Sequence, residues 1–302
     1  MVFDPSDVLR PSSFQDAVEL LDSPDSRIVA GNTNLYSLAK KGGLDNIKKL
    51  VDISKLGISY VREEPQERDS EAEPRTSEKK TILVGAGTTF QELASSPLIS
   101  GSPEFAGLKE ALNLSPPQIR NVATIGGSIC SAVSYYDAPV ILLALGTTLK
   151  FFSKNEGERL VAIESFFQDP VRYEKDLLLE YQFASSPNSA SSFVKLCRRM
   201  SGYGVLMTAA KIRLDHTSRK IDNIRLAIGA MTEIPQRLNH VEEKLQHKEP
   251  TIETVTEMCE KSADSVRDLI PSVHASVAYK KQVLPSLLRD SIMSAVERVQ
   301  ER

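Results

Sequence analysis

Hydrophobic positions recur along this chain with two different periods, which predict a mixture of helices and strands. Apolar residues follow helical spacing in 11–22, behind two serines that can cap a helix. Short apolar runs bounded by turn residues predict strands at 28–30, 47–53, 58–61, 81–86, 147–152, 193–196, 206–214 and 221–230. The sequence predicts further helices at 88–94, 105–114, 252–263 and from 273 to the C-terminus. A continuous apolar run with Pro139 near its start predicts a buried helix at 137–145. We therefore expect an α+β fold.

The order of these elements predicts how the chain is divided. The first two strands, with a helix between them, predict a small βαβ-like lobe, and the next two predict a hairpin. Residues 62–80, between the hairpin strands, are charged at 12 of 19 positions, so we expect a solvated excursion there, with a docking role as the alternative. The serine-rich stretch 183–192 predicts a loop or domain boundary, followed by an antiparallel sheet and helices.

Composition excludes several classes of function. The net charge of −3 gives no electrostatic footprint for nucleic acid, and no apolar run reaches the roughly 18 residues that span a bilayer. With no signal-peptide pattern at the N-terminus, we expect a cytoplasmic protein. Metal-ligating side chains are sparse and scattered, so we expect neither a metal site nor an iron–sulfur cluster in this chain; they are Cys130, Cys197, Cys259, His216, His240, His247 and His274.

The most informative stretch is 118–138, which contains the adjacent glycines Gly126 and Gly127 between two apolar segments. Tandem glycine in an apolar stretch gives up chain entropy and packing, so it needs a reason. One reading is a tight turn or bulge. The other is a close approach of backbone N–H groups to an anionic ligand, with the hydroxyls of Thr124 and Ser128 as flanking donors.

A second glycine turn lies near the N-terminus, where A-G-N-T-N-L joins a short strand to a helix-like segment that ends at Gly42-Gly43. Residues 31–34 offer N–H groups and small polar side chains at the start of that helix. Anion binding and simple helix capping are both compatible with this pattern.

Taken together, these motifs resemble those of the FAD-binding subunit of the molybdenum hydroxylases, the family of the xanthine, carbon monoxide and nicotinate dehydrogenases. The resemblance rests on the opening F-D-P-S-D-V-L-R-P-S-S-F-Q-D-A-V-E-L-L, A-G-N-T-N-L at 30–35, Q-I-R-N-V-A-T-I-G-G-S at 118–128, F-V-K-L-C-R-R at 193–199 and S-V-A-Y-K-K at 276–281. These motifs occur in the family's order and spacing and cover nearly the whole chain.

The resemblance implies a fold and a domain plan. We expect a two-lobed FAD-binding domain of the vanillyl-alcohol-oxidase (PCMH) type at 1–182, with lobes at about 1–56 and 57–182. A C-terminal α+β domain of the carbon monoxide dehydrogenase flavoprotein type should follow at 190–302.

The resemblance also implies a function. We expect an FAD-dependent electron-transfer subunit of a heterotrimer, which takes electrons from a 2Fe–2S small subunit and passes them to NAD(P)+, O2 or a quinone. A molybdenum-cofactor large subunit would read the substrate. The alternatives are a self-sufficient flavin oxidase and an assembly subunit that has lost FAD. No arrangement of side chains suggests a hydrolytic mechanism.

In the family, two turns wrap the FAD diphosphate, and the resemblance assigns close contacts to Gly31, Gly126 and Gly127. Asn32 and Asn34 replace a glycine and an aspartate that are frequent in the family's first turn. Asp137 matches a residue that binds the sugar part, with helix capping as its alternative. The remaining residues that the resemblance assigns to the cofactor are Ile28, Val29, Ala30, Thr33, Leu35, Leu114, Thr124, Ile125, Ser128, Leu178, Lys195 and Tyr203.

Three of these residues concern the flavin ring. Leu178 and Lys195 match positions that line it, and a cation at Lys195 would stabilise the anionic reduced ring. Taken alone, a lysine on a strand is more often solvated. Tyr203 matches a residue that covers one flavin face in carbon monoxide dehydrogenase, with ordinary sheet packing as its alternative. Gly202 stands where the family usually has aspartate.

Overall fold

Three sheets organise the chain in the computed structural model, which describes residues 5–64, 80–186, 188–199 and 201–301. Most of the charged stretch predicted as a solvated excursion, 65–79, lies outside the described residues. None of the helices in the described ranges is both long and apolar enough to cross a membrane.

The first sheet forms the small βαβ-like lobe that the sequence predicts. In chain order its unit contains β1 (Asp7–Leu9), α1 (Phe14–Leu21), β2 (Ser26–Val29), α2 (Thr33–Lys40) and β3 (Lys49–Asp52). The strands are parallel in the order β1-β3-β2. The hydrophobic pattern did not predict β1, because three residues are too few to show a period.

The second unit holds a five-stranded antiparallel sheet and most of the short helices. Its elements are β4 (Val61–Glu63), β5 (Thr81–Gly85), α3 (Phe90–Ser95), α4 (Pro97–Ser100), α5 (Ala106–Asn113), α6 (Pro117–Arg120), α7 (Ile125–Cys130), α8 (Asp137–Leu145), β6 (Thr148–Ser153), β7 (Gly157–Ala162), α9 (Ile163–Gln168) and β8 (Leu177–Ala184). The strand order is β4-β5-β8-β6-β7, and β4 with β5 forms the predicted hairpin. Helix α3, predicted over 88–94, begins at Phe90 behind a capping box between Thr89 and Glu92.

The third unit is an antiparallel sheet covered by helices, as predicted. Its elements are β9 (Ser189–Leu196), β10 (Leu206–Leu214), β11 (Ile221–Gly229), β12 (Gln236–Arg237), α10 (Asn239–Leu245), α11 (Ile252–Cys259) and α12 (Val277–Gln300). The strand order is β12-β11-β10-β9, and α12 packs on β9 and β10. A hydrophobic core lies between this sheet and its helices.

The loop or domain boundary predicted over 183–192 is shorter in the structure, since β8 continues to Ala184 and β9 begins at Ser189. Serine in such a run usually indicates a turn. Here Ser191 and Ser192 are buried, and their hydroxyls bond the backbone of neighbouring helices: Ser191 accepts from Gly107 N at 3.0 Å, and Ser192 donates to the carbonyl of Ser291. Small side chains let α5 and α12 approach the strand closely.

Helix α8 lies at the centre of the molecule. Every residue from 138 to 145 is buried, as its uniformly apolar sequence predicts, and Pro139 lies in its first turn. It packs on β10 and β11 of the third unit and on α5, α7 and α9 of the second. The helix ends at Gly146, whose φ of 73° is left-handed and suits glycine.

A buried ion pair also joins the second and third units. Lys211 Nζ lies 2.7 Å from Glu104 Oε1, and both side chains are less than a tenth exposed. Glu104 additionally accepts from the Ser185 hydroxyl at 2.8 Å and from the Ser186 N–H at 2.9 Å. The carboxylate is therefore the shared acceptor of three donors.

We expect Glu104→Ala to lower the free energy of unfolding by about 3–5 kcal/mol, because it leaves a buried ammonium and two other donors without their acceptor. Lys211→Met should have a smaller effect, since the lysine stem is retained in shape and Glu104 keeps its bonds to Ser185 and Ser186. Urea unfolding of both variants checks the order. Equal losses would show that the carboxylate is not the centre of this cluster.

Candidate functional site

One cavity of about 920 Å³ opens where the three units meet. The start of α2 forms one wall, and the first turns of α7 and α8 form another. The third unit contributes the end of β9 and the loop before β10. The small lobe and the two larger units therefore each supply part of the same surface.

The cavity brings together nearly all of the residues that the sequence assigned to a cofactor. Those that line it are Ile28, Ala30, Gly31, Asn32, Thr33, Asn34, Leu35, Leu114, Thr124, Gly126, Gly127, Ser128, Asp137, Leu178, Lys195 and Tyr203. Val29 and Ile125 are not among the lining residues. Val29 is flanked by Ile28 and Ala30, and successive side chains of an extended segment point to opposite faces. Ile125 is fully buried in the core.

The first glycine turn leaves helix donors open toward the cavity. Asn32 precedes α2 with a left-handed φ of 60°, and its side chain makes no capping hydrogen bond. The first N–H groups of a helix have no intrahelical partner, so an uncapped start is suited to an anion. The left-handed φ also explains why asparagine stands where the family often has glycine, since these residues tolerate that conformation best. The alternative of simple capping by the Asn32 side chain is wrong.

The second glycine turn differs from the sequence-based expectation. Gly126 and Gly127 form neither a tight turn nor a bulge but the first turn of α7. The N–H groups that were expected to face an anion already have partners within the chain: Ile125 N bonds Thr88 O, Gly126 N bonds Ala86 O, Gly127 N bonds Thr124 Oγ1 and Ser128 N bonds Thr124 O. The donors that this turn still offers are the hydroxyls of Thr124 and Ser128, both of which line the cavity.

The glycines themselves have different structural reasons. A Cβ on Gly31 would lie 2.0 Å from Val122 O, and one on Gly126 would lie 2.6 Å from Ala86 O, so both positions are fixed by backbone packing. A Cβ on Gly127 would meet only the Thr124 hydroxyl, at 2.9 Å. Gly127 is exposed and lines the cavity, so it is the glycine whose missing side chain keeps the cavity open.

A buried ion pair lies in the cavity wall. Lys195 Nζ, at the end of β9, donates to Asp137 Oδ2 at 2.8 Å, and the side chains are 5% and 11% exposed. Burial raises the pKa of Asp137 above its usual value, while the Lys195 ammonium acts in the opposite direction. The second oxygen, Oδ1, is buried and has no hydrogen-bond partner among the described residues. Asp137 is the first residue of α8 and Tyr136 holds the capping position, so the alternative that Asp137 caps the helix is wrong. The alternative that Lys195 is solvated is also wrong, because its side chain is buried.

A cluster of three tyrosines, Tyr135, Tyr136 and Tyr203, also lines the cavity, and only Tyr203 was identified from the sequence. The ring of Tyr203 lies 4.9 Å from that of Tyr135 and is stacked on that of Tyr136 at 6.0 Å. Tyr203 is 61% exposed and precedes β10, so the alternative that it packs within the sheet is wrong. The Tyr136 hydroxyl donates to Asn34 Oδ1 at 2.9 Å, which connects this cluster to the start of α2.

These features define what the cavity can bind. It offers helix N–H groups and hydroxyls for an anion, one unpartnered carboxylate oxygen for a hydroxyl donor, and aromatic rings for a planar group. Within the described ranges, no group of three or more His, Cys, Asp or Glu side chains could hold a metal ion. The chemistry of the lining therefore fits a large organic ligand that combines phosphates, a sugar and a flat ring.

Comparison with family models gives two matches that follow one another along the chain. Residues 3–182 match the FAD binding domain in molybdopterin dehydrogenase, and residues 191–295 match the CO dehydrogenase flavoprotein C-terminal domain.

Two relatives are similar to this chain over almost their whole length. The xanthine dehydrogenase FAD-binding subunit of Escherichia coli O157:H7 is 27% identical, with 98% of this chain and 97% of the relative covered. The glyceraldehyde dehydrogenase medium chain of Sulfolobus acidocaldarius is 25% identical, with 92% and 94% covered. A solved carbon monoxide dehydrogenase from Hydrogenophaga pseudoflava, lacking the Mo-pyranopterin moiety of its molybdenum cofactor, shares the fold, with a TM-score of 0.86, 22% identity and 99% of both chains covered.

The different environments of the glycines lead to a mutational prediction. Gly31→Ala forces a Cβ into a backbone carbonyl, and we expect a loss of about 3 kcal/mol or more in the free energy of unfolding. Gly127→Val should fold but exclude FAD, because its side chain enters the cavity. Gly101→Ala is the matched control, since its Cβ would meet only Pro97 O at an ordinary 3.6 Å. Urea unfolding and flavin content after FAD incubation separate the three, and normal flavin content in Gly127→Val would contradict the assignment of Gly127 to the cavity wall.

The raised pKa of Asp137 predicts how its contribution to stability depends on pH. Because the folded-state pKa lies above 3.8, the unfolded chain releases this proton first, and the carboxyl's contribution to stability falls as the pH rises from 3.8 through the raised pKa. We therefore expect the free energy of unfolding of the FAD-free wild type to fall relative to that of Asp137→Asn as the pH rises through this window. Above the window, the difference between the two free energies should stay constant. Urea unfolding of both chains from about pH 4 to about pH 8 measures this difference. A difference that stays flat, or that changes in favour of the wild type, would contradict the prediction.

Proposed function

We propose that this chain passes electrons from an iron–sulfur partner through FAD to an external acceptor, because it belongs to the FAD-binding family of the molybdopterin dehydrogenases. These enzymes are also called molybdenum hydroxylases. It is an FAD-dependent oxidoreductase subunit, and its cofactor is FAD. The observation that carries the proposal is that one cavity joins a helix start without a side-chain cap, a carboxylate oxygen without a partner among the described residues, and an aromatic wall. FAD, when bound there, supplies the redox chemistry.

The start of α2 is the part of the chain best suited to the diphosphate. Its N–H groups are uncapped, and the helix dipole adds a partial positive charge at the same point. The hydroxyls of Thr124 and Ser128, which line the same cavity, supply further donors. We assign the two turns different roles: the first binds through backbone N–H groups and the second through side-chain hydroxyls. This division follows from the internal bonding of the α7 N–H groups.

Asp137 and Lys195 are suited to act together on the sugar and ring portions. Asp137 Oδ1 accepts a ligand hydroxyl, which gives the buried oxygen the partner that it lacks within the described chain. Its other oxygen holds Lys195 in place. The ammonium then provides positive charge near the ring without exposing it to water, where screening would weaken its field. Leu178 and Tyr203 complete this part of the lining with apolar and aromatic surface.

The proposed electron path requires partner chains. The relatives are named as subunits or medium chains of larger dehydrogenases, and this chain matches almost their full length. We propose that a 2Fe–2S small subunit delivers the electrons and that a molybdenum-cofactor large subunit oxidises the substrate. NAD(P)+, O2 or a quinone would then take the electrons from the cavity side that Tyr203 borders. The substrate is recognised by the large subunit in this scheme, so no residue of this chain selects it.

Purification of the tagged chain from its native host tests the assembly and the electron path together. We expect it to carry FAD and to bring with it one iron–sulfur chain and one molybdenum chain. A tagged Gly127→Val chain is the matched control: it should assemble without flavin, so that substrate reduces the iron–sulfur centre but electrons do not reach the acceptor. Anaerobic absorbance spectra follow both centres.

Three outcomes would contradict the proposal. A chain that purifies alone and oxidises a substrate would be a self-sufficient flavin oxidase. A chain that stays colourless after incubation with FAD would be an assembly subunit. If the flavin-free assembly reduced the acceptor as fast as the wild type, the path would bypass this chain.

A further inference from the structure

Tyr136 is placed between the two ends of the cavity and contacts both. Its hydroxyl donates to Asn34 Oδ1 at 2.9 Å, and Asn34 lies in the first turn of α2. Its ring is stacked on Tyr203, with 6.0 Å between the centroids and 28° between the planes. We propose that Tyr136 is a positioning residue, whose hydroxyl orients Asn34 toward the FAD diphosphate and whose ring supports Tyr203 beside the flavin. This inference rests on the proposed placement of the diphosphate at the start of α2.

The hydroxyl matters because an amide has two chemically opposite ends. The oxygen of Asn34 accepts hydrogen bonds and would repel a phosphate, whereas its nitrogen donates two. With Oδ1 held by Tyr136, the nitrogen is the end left available to an anion. Asn34 stands where the family often has aspartate. The hydrogen bond from Tyr136 gives this difference a function, because it orients the uncharged Asn34 side chain as a donor.

The hydroxyl also stays protonated. Burial raises the pKa of Tyr136 to about 12, and the neighbouring Tyr203 and Tyr135 act in the same direction. The group is thus a hydrogen-bond donor throughout the neutral range, and the orientation of Asn34 does not depend on pH there.

The ring provides the second part of the argument. Tyr203 is 61% exposed and lies in a loop, so few other contacts fix its orientation. Tyr135 meets it edge-on and Tyr136 lies nearly parallel to it. Stacked and edge-on aromatic pairs favour defined ring geometries, so the two neighbours restrict where Tyr203 can point. The residue that precedes Asp137 therefore connects the phosphate end to the ring end of the cavity.

Two ligands and a matched pair of variants separate the two roles. ADP carries the diphosphate without the flavin, and FAD carries both. Tyr136→Phe deletes only the hydroxyl, and Tyr135→Phe is its control, since the Tyr135 hydroxyl has no hydrogen-bond partner among the described residues. We expect Tyr136→Phe to weaken ADP and FAD by the same factor, about fivefold, the usual net effect of one neutral hydrogen bond. Tyr135→Phe should bind both as the wild type does.

Two further variants test the partner and the ring. In an Asn34→Ala background, Tyr136→Phe should have no further effect on ADP binding, because the acceptor of its hydrogen bond is gone. Tyr136→Leu should weaken FAD more than ADP and should change the fluorescence of the bound flavin, because Tyr203 loses its stacked neighbour. Unfolding of the FAD-free variants is measured alongside, since a general loss of stability would not produce this ligand-specific pattern.

The results that would overturn the inference are distinct from those that bear on the function. If Tyr136→Phe binds ADP and FAD as tightly as Tyr135→Phe does, the positioning role is wrong while the FAD site stands. An equal effect of Tyr136→Phe in the wild-type and Asn34→Ala backgrounds would likewise overturn it. If Asn34→Ala binds ADP as tightly as the wild type does, the placement of the diphosphate beside Asn34 is wrong, and the inference falls with it.

Discussion

The enclosure of helix α8 is the constraint on which the rest of the structure depends. A helix that is apolar on every face cannot lie on a surface, so it needs packing partners on all sides. The second unit covers part of it and the sheet of the third unit covers the rest. This enclosure brings Asp137, at the first turn of the helix, to the end of β9, where Lys195 can reach it. A polar site thus forms at the one end of an apolar helix that opens onto the cavity.

Backbone packing, rather than ligand contact alone, accounts for most of the glycines in the two turns. The chain at Gly31 touches the chain at Val122, and the helix that begins at Ile125 rests on the end of β5 through Gly126. These approaches set the width of the cavity before any ligand enters. A glycine motif in a sequence can therefore mark a binding site correctly even when the glycine itself serves the packing of the walls.

Long apolar segments and compact motifs were the parts of the fold and the site that the sequence could predict. Helix α8 was predicted from its uninterrupted apolar run with a proline in the first turn, and strand β10 from an apolar run of strand length. The ion pair of Asp137 with Lys195 was not predicted, because 58 positions separate the two residues and no local pattern encodes their distance. Tyr136 was missed for the same reason, since its partner Asn34 lies 102 positions away. Ser191 and Ser192 were assigned to the loop or boundary because their composition indicates polarity, but it does not show that they are buried in a strand.

The assembly of one cavity from three units has a thermodynamic consequence for the whole chain. A ligand that contacts all three binds only when all three are folded, so its binding free energy stabilises both the core that the first two units share and the core of the third unit. At a ligand concentration of about a hundred times the dissociation constant, the folded state gains roughly 2.7 kcal/mol. The cofactor then acts as a cross-link without a covalent bond, and it couples the folding of the two cores through a shared ligand.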